Sequence, residues 1–184
     1  MRRKRLIRRC VAMLVAIEVL LVATYAIADL PLPVPVDGMT RRSVPTDFHA
    51  PRPGFHSAHQ GTDLLARRGT PVRSVGWGVV ARIEEQPRGG KVVFVAGEGA
   101  MLFFYAHLDR WAPDLHVGQR VSQGTLLGFV GDTGNARGIP HLHFEARPAA
   151  TAFAPIDPQL VIGPRPAPIA RRLEALVTSL PEHR

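Results

Sequence analysis

The stretch GIPHLHFEAR, Gly138 to Arg147, places two histidines one residue apart in an otherwise apolar run. Side chains of a strand alternate between faces, so His141 and His143 share one side while Leu142 and Phe144 share the other. Two imidazoles about 7 Å apart on one strand face can hold one metal ion, flank one reacting group, or form a hydrogen-bonded pair on a half-buried sheet. Leu142 and Phe144 anchor the strand in a core under any of these readings.

The same texture runs outward from this stretch. From about Pro53 onward, short apolar segments alternate with glycine-containing turns, the pattern of an all-β domain. TPVRSV, GVVARIE, KVVFVA, MLFFYAHL, TLLGFVG and HLHFEAR are the predicted strands. Hydrophobic residues make up 46% of the 184 and charged residues 21%, which fits a globular chain and excludes a disordered one.

The formal charge of +8 invites a nucleic-acid reading, but it is unevenly placed. Six of the 23 basic residues and one of the 15 acidic residues fall in residues 1–28, leaving 17 against 14 and a net of +3. No basic stripe interleaved with aromatics remains after that segment, so no nucleic-acid partner is expected. Residues 1–28 have the order of an export signal: a cationic start, an apolar run from Cys10 to Ala28, and small residues Ala26 and Ala28 at a cleavage position. The run is also long enough for an anchor. Glu18 in its middle disfavours residence in lipid and favours cleavage after Ala28. Either way the remainder is expected to be exported, to the periplasm or cell envelope. Membrane contact arises only through residues 10–28 where the leader stays attached.

Cys10 is the only cysteine and lies in that leader, so any metal in the rest of the chain must be held by His, Asp or Glu. Prolines 31, 33 and 35 predict an extended spacer within a linker over residues 29–52. The β domain is expected over 53–162. A tail follows over 163–184, in which Ile169, Leu173, Leu176 and Leu180 recur at helical spacing and predict a short C-terminal helix.

Three further positions suggest chemistry. In HQGTDLLA, His59 and Asp63 can meet on one ion if Gly61 allows a bend between them, though a solvated loop gives the same letters. In FFYAHLD, His107 ends a strongly apolar strand. Taken together, H-x-G-x-D early in a β domain, YAHL in its middle and PHLHFE near its end resemble the lysostaphin-like, or LytM-type, zinc metallopeptidases of the bacterial cell wall. GTPVRSVGWGVV and VGQRVSQGTLLGFVGDTGNARGIPHLHFEAR extend the likeness over roughly His59 to Pro158.

The resemblance implies an all-β catalytic domain of antiparallel sheets, sandwich-like and carrying a groove. It also implies one Zn2+ per chain held by His59, Asp63 and His143, with His107 and His141 as unliganded catalytic histidines. Two histidines and a carboxylate leave a fourth zinc position for water, as hydrolysis requires. The expected substrate is the peptide stems of peptidoglycan. Some members of the family carry a tyrosine shortly before the first ligand. Here Tyr25 lies in the leader and Tyr105 in the central strand, so that assistance is absent or replaced.

Two other functions compete. Family members that lack metal ligands activate cell-wall amidases without catalysis, but all five residues are present here. GQRVSQGTLLG resembles the hairpin of biotinyl and lipoyl carriers, which need a lysine at the turn. The only lysines are Lys4 and Lys91, so the carrier reading fails.

Overall fold

The structure is a computed structural model and describes residues 32–52 and 58–163. The predicted leader over residues 1–28 and the segment over 169–180 where a helix is predicted lie outside the described residues. Eight strands form one antiparallel sheet: β1 (Thr62–Leu65), β2 (Pro71–Arg73), β3 (Gly78–Gln86), β4 (Gly90–Gly97), β5 (Met101–Trp111), β6 (Arg120–Val121), β7 (Leu126–Val130) and β8 (His141–Pro148). Their order is β1-β8-β5-β4-β3-β6, and β7 joins β2 to the far half of β5. The six predicted strands are present. The sequence did not single out β1 or the two-residue β6.

Alternation along β4, β5 and β8 separates the core from the site. Val93 and Val95 of β4, Phe103 and Tyr105 of β5, and Leu142, Phe144 and Ala146 of β8 enter the main core. Burying a side chain such as Leu142 or Phe144 fully contributes about 1.5–3 kcal/mol. The opposite face carries a smaller apolar cluster of Val92, Phe94, Phe104 and Ala106. His141, His143 and Glu145 have the parity of that second face, where all three are buried.

Strand β5 changes partner at His107. Met101–Ala106 pair with β8, and Leu108–Trp111 pair with β7. Tyr105 faces Val93 of β4, but Leu108 rather than His107 faces Lys91, so β5 holds one extra residue. His107 sits in this bulge with φ of 63°. A regular strand would send His107 toward the core with Phe103 and Tyr105; the bulge re-aims it.

The stretch expected to be an extended spacer is packed over its described part. Leu32, Val36 and Val44 are buried in the main core, Val36 bridges to Val72, and Asp37 pairs with Arg73. Apolar residues between the prolines give this arm something to bury, and its polar groups find partners on the sheet. Among the described residues no helix is long and apolar enough to cross a membrane.

Candidate metal centre and active site

The register of β1 against β8 builds the centre. Asp63 is the partner of His143, and Leu65 is the partner of His141. Gly61 forms the expected bend, and it also makes this pairing possible by close approach, since a Cβ there would lie 2.4 Å from the Phe144 carbonyl oxygen. His59 then reaches the same point from just before β1. Its Nε2 is 3.0 Å from His143 Nδ1 and 3.1 Å from Asp63 Oδ1, and the third side, His143 Nδ1 to Asp63 Oδ1, is 2.8 Å. Donors around a tetrahedral zinc at 2.0–2.1 Å stand about 3.3 Å apart, so these spacings are a little under those of a loaded site.

The outer nitrogens decide what the inner ones are. His59 Nδ1 donates to the Asp47 carbonyl at 2.9 Å, and His143 Nε2 donates to Glu145 Oε1 at 2.9 Å. In neutral rings the inner nitrogens are therefore acceptors, so two lone pairs and a carboxylate oxygen converge, an arrangement that suits a cation. The carboxylates are themselves held: Arg147 binds Glu145 behind His143, and Arg52 binds the second oxygen of the triad's own Asp63.

Without a cation the centre takes up protons instead. Burial works against charge on His59, but hydrogen bonds to Asp47 and Asp63 overcome it and push its pKa up to about 9. Burial also opposes a charged His143, and hydrogen bonds to Asp63 and Glu145 outweigh it, raising its pKa. Asp63 is held well below the usual carboxylate range because bonds to His143 and His59 outweigh the cost of burial.

The remaining two histidines stand beside the triad. His141 Nδ1 donates to the Ile139 carbonyl at 2.7 Å; its Nε2 is buried without a hydrogen-bond partner, 3.6 Å from Asp63 Oδ1. His107 Nδ1 donates to the Thr133 carbonyl at 2.9 Å, and its ring centroid lies 4.8 Å from that of His141. Burial, reinforced by repulsion from His141, lowers the His107 pKa to about 4, so this ring is neutral at physiological pH. Thr133 also clamps the bulge, accepting from the Lys91 N–H and donating to the Leu108 carbonyl. Gly131 leaves room for it, since a Cβ there would lie 2.8 Å from the His107 carbonyl oxygen. An open groove of about 230 Å³ runs past the centre, lined among others by Arg52, His59, Phe104, His107, His143 and Arg147.

All five residues singled out in the sequence therefore meet. Tyr105 does not join them: it is fully buried, and its hydroxyl accepts from the Val75 N–H. The supporting residues Asp47, Glu145, Arg147 and Thr133 were not identified from sequence. Glu145 had a readable signal, since it continues the parity of His141 and His143 along one strand face.

The profile of peptidase family M23 matches residues 57–157. The chain belongs to peptidase family M23. Among M23 relatives, the chain is 38% identical over 95 residues to the peptidoglycan DD-endopeptidase ShyC of Vibrio cholerae serotype O1, covering 52% of this chain and 21% of ShyC. It is 34% identical over 129 residues to the DD-carboxypeptidase/endopeptidase Mpg of Neisseria meningitidis serogroup B, covering 69% of this chain and 28% of Mpg. The match thus spans less than a third of the length of either relative. Among solved structures, the catalytic domain of the prophage-encoded M23 protein EnpA from Enterococcus faecalis superposes with a TM-score of 0.56 at 25% identity, over 70% of this chain and 95% of that one.

Proposed function

We propose that this M23 chain is an exported, zinc-dependent endopeptidase that hydrolyses peptide cross-links of bacterial peptidoglycan. The observation that carries the reading is the convergence of His59 Nε2, Asp63 Oδ1 and His143 Nδ1, with His141 Nε2 buried and unpartnered beside them. Zinc bound by that triad supplies Lewis acidity and makes water available as a nucleophile near neutral pH.

The protein's own groups supply the proton chemistry. His107 is held neutral with its Nδ1–H fixed on Thr133, so Nε2 is the acceptor available to take a proton from the attacking water. A pKa near 4 also makes the protonated ring a ready donor to the leaving amine. His141, with its Nδ1–H fixed on the Ile139 carbonyl, holds a second Nε2 acceptor 3.6 Å from Asp63 Oδ1, beside the triad. The groove walls, with Arg52 and Arg147 on the rim, suit an extended peptide that bears carboxylates.

The substrate class follows the relatives, of which ShyC is named a peptidoglycan DD-endopeptidase and Mpg a DD-carboxypeptidase/endopeptidase. A D-alanyl to diaminopimelate cross-link is the proposed bond in a directly cross-linked wall. Convergence of all five side chains favours the enzyme over the amidase-activating regulator. Export, to the periplasm or cell envelope, rests on the cationic and apolar order of residues 1–28.

The test is digestion of purified peptidoglycan by the zinc-loaded protein, with mass spectrometry of the released muropeptides. New amino termini at cross-links, abolished in His141→Ala, are expected. A zinc-loaded protein that releases none, yet stimulates an amidase, would replace this reading with the regulator.

A further inference from the structure

Asp47 lies ten residues before the first residue that matches the family profile, in the stretch whose prolines suggest only a spacer. Its position in the structure is different in kind. The Asp47 carbonyl accepts from His59 Nδ1 at 2.9 Å, and carboxylate Oδ2 lies 3.3 Å from the same nitrogen. Oδ2 also accepts the backbone N–H of Asp63 at 3.1 Å, while Oδ1 accepts the hydroxyl of buried Thr62 at 2.7 Å. One side chain therefore touches the ring of one member of the triad and the backbone of another.

The segment around Asp47 is fixed from both sides. The His49 N–H donates to the His59 carbonyl at 2.8 Å, and the His59 N–H donates to the Ala50 carbonyl at 3.1 Å, so residues 49–50 are zipped to His59. Behind them, Gln159 Nε2 donates to the carbonyls of Val44 and Pro45 at 2.6 and 2.7 Å, and Val44 is buried in the core. The two ends of the described chain thus brace the strap that carries Asp47. Such bracing gives a carboxylate beside an imidazole a fixed direction.

We propose that Asp47 is a positioning residue of the metal centre: its carbonyl fixes the tautomer of His59, and its carboxylate holds the ring plane of His59 and the placement of Asp63, so that the N-terminal strap over residues 47–50 is part of the site. The inference rests on the metal reading of the triad. A carboxylate behind a ligating imidazole orients the ring and raises its basicity, and loss of such a partner typically weakens metal binding 10- to 100-fold. Asp47 touches neither the groove's reacting space nor the inner nitrogen of His59, so its effect passes through the ligands.

The experiment compares the full chain with Asp47→Asn, Asp47→Ala and Thr62→Val. Zinc affinity is read by competition with a chromophoric chelator, the Co2+-loaded forms by visible absorption, and melting temperature with and without zinc. Asp47→Asn is expected to weaken zinc about 10-fold, and Asp47→Ala by 10- to 100-fold. Thr62→Val, which keeps the side-chain shape and removes only the hydroxyl on Asp47, is expected to weaken zinc a few-fold. The rise in melting temperature on adding zinc should shrink in all three, with an altered Co2+ spectrum. If Asp47→Ala does not fold, Thr62→Val and Asp47→Asn carry the decision.

Zinc affinities within twofold of the wild type and an unchanged Co2+ spectrum overturn the role of Asp47. So does an equal fall in melting temperature with and without zinc, which marks a purely structural strap. His143→Ala distinguishes the two levels: a variant that binds zinc as tightly as wild type overturns the triad and the proposal together, whereas loss of zinc in His143→Ala with none in the Asp47 variants overturns only the proposal.

Discussion

Asp63 and His143 are register partners across β1 and β8, and their side chains meet at 2.8 Å between Oδ1 and Nδ1. His141, two residues before His143 on the same strand face, has its Nε2 at 3.6 Å from the same oxygen. One register thus sets one histidine against the carboxylate and the next slightly apart. The H-x-H pair is a division of labour, not a symmetrical clamp.

This division predicts opposite behaviour for two neighbouring substitutions. His143→Ala removes one of three donors and should lower zinc affinity by at least 100-fold, measured by chelator competition. His141→Ala should keep most of the zinc and lower the rate of peptide hydrolysis by 10²–10⁴-fold, the usual contribution of a proton-transfer group. Equal zinc retention by both variants would show that the geometry is wrongly assigned.

Glu145→Gln tests the partner of the His143 outer nitrogen. The variant keeps an acceptor for Nε2–H but removes the charge, and leaves Arg147 without its carboxylate. Zinc affinity should fall about 10- to 100-fold with the fold intact. Isothermal titration of the metal-free protein measures it.

Protons and zinc compete for the same atoms, which fixes a sign. The His59 pKa of about 9 in the metal-free protein lies above its ordinary 6.5. Its contribution to metal-free stability is therefore full below about pH 6.5 and lost as pH rises through 9. Zinc binding needs the deprotonated ring and should strengthen over that same interval, with release of a proton. Melting temperatures from pH 6.5 to 9 should fall for the metal-free form while the increment from zinc grows. Parallel curves would contradict the shared site.

Gly61→Ala tests how closely β1 must approach β8. A Cβ at 2.4 Å from the Phe144 carbonyl oxygen forces the strands apart. A loss of about 1–3 kcal/mol is expected from overpacking of this kind. Because Asp63 and His143 are register partners on these strands, zinc affinity should fall in parallel. Chemical denaturation read alongside zinc titration checks both.

Much of the fold was legible because its strongest signals are local. Period-2 alternation in KVVFVA, MLFFYAHL and HLHFEAR is enforced by a sheet with apolar groups on both faces, and each became a strand within one to three residues of its predicted ends. The segment β1 was missed because TDLL is short and its significance lies in pairing with β8, not in its own pattern. The arm over residues 32–50 was misread as spacer because alternate prolines do favour extended chain. Nothing local announces that Val36 and Val44 will find a core to enter.

The sequence by itself determined the chemical inventory: three imidazoles and a carboxylate in recognisable spacing, a fourth imidazole at the end of an apolar run, and no cysteine beyond Cys10 to compete as ligand. Strand parity alone also put His141 and His143 on one face. Only the tertiary structure decided where His107 points, since parity sends it toward the core and the bulge turns it to the site. Tertiary contact likewise chose which ring nitrogen of His107 and His59 faces inward, through the Thr133 and Asp47 carbonyls. Those acceptors come from loops distant in sequence, and hydrogen bonds of that range leave no trace in local spacing.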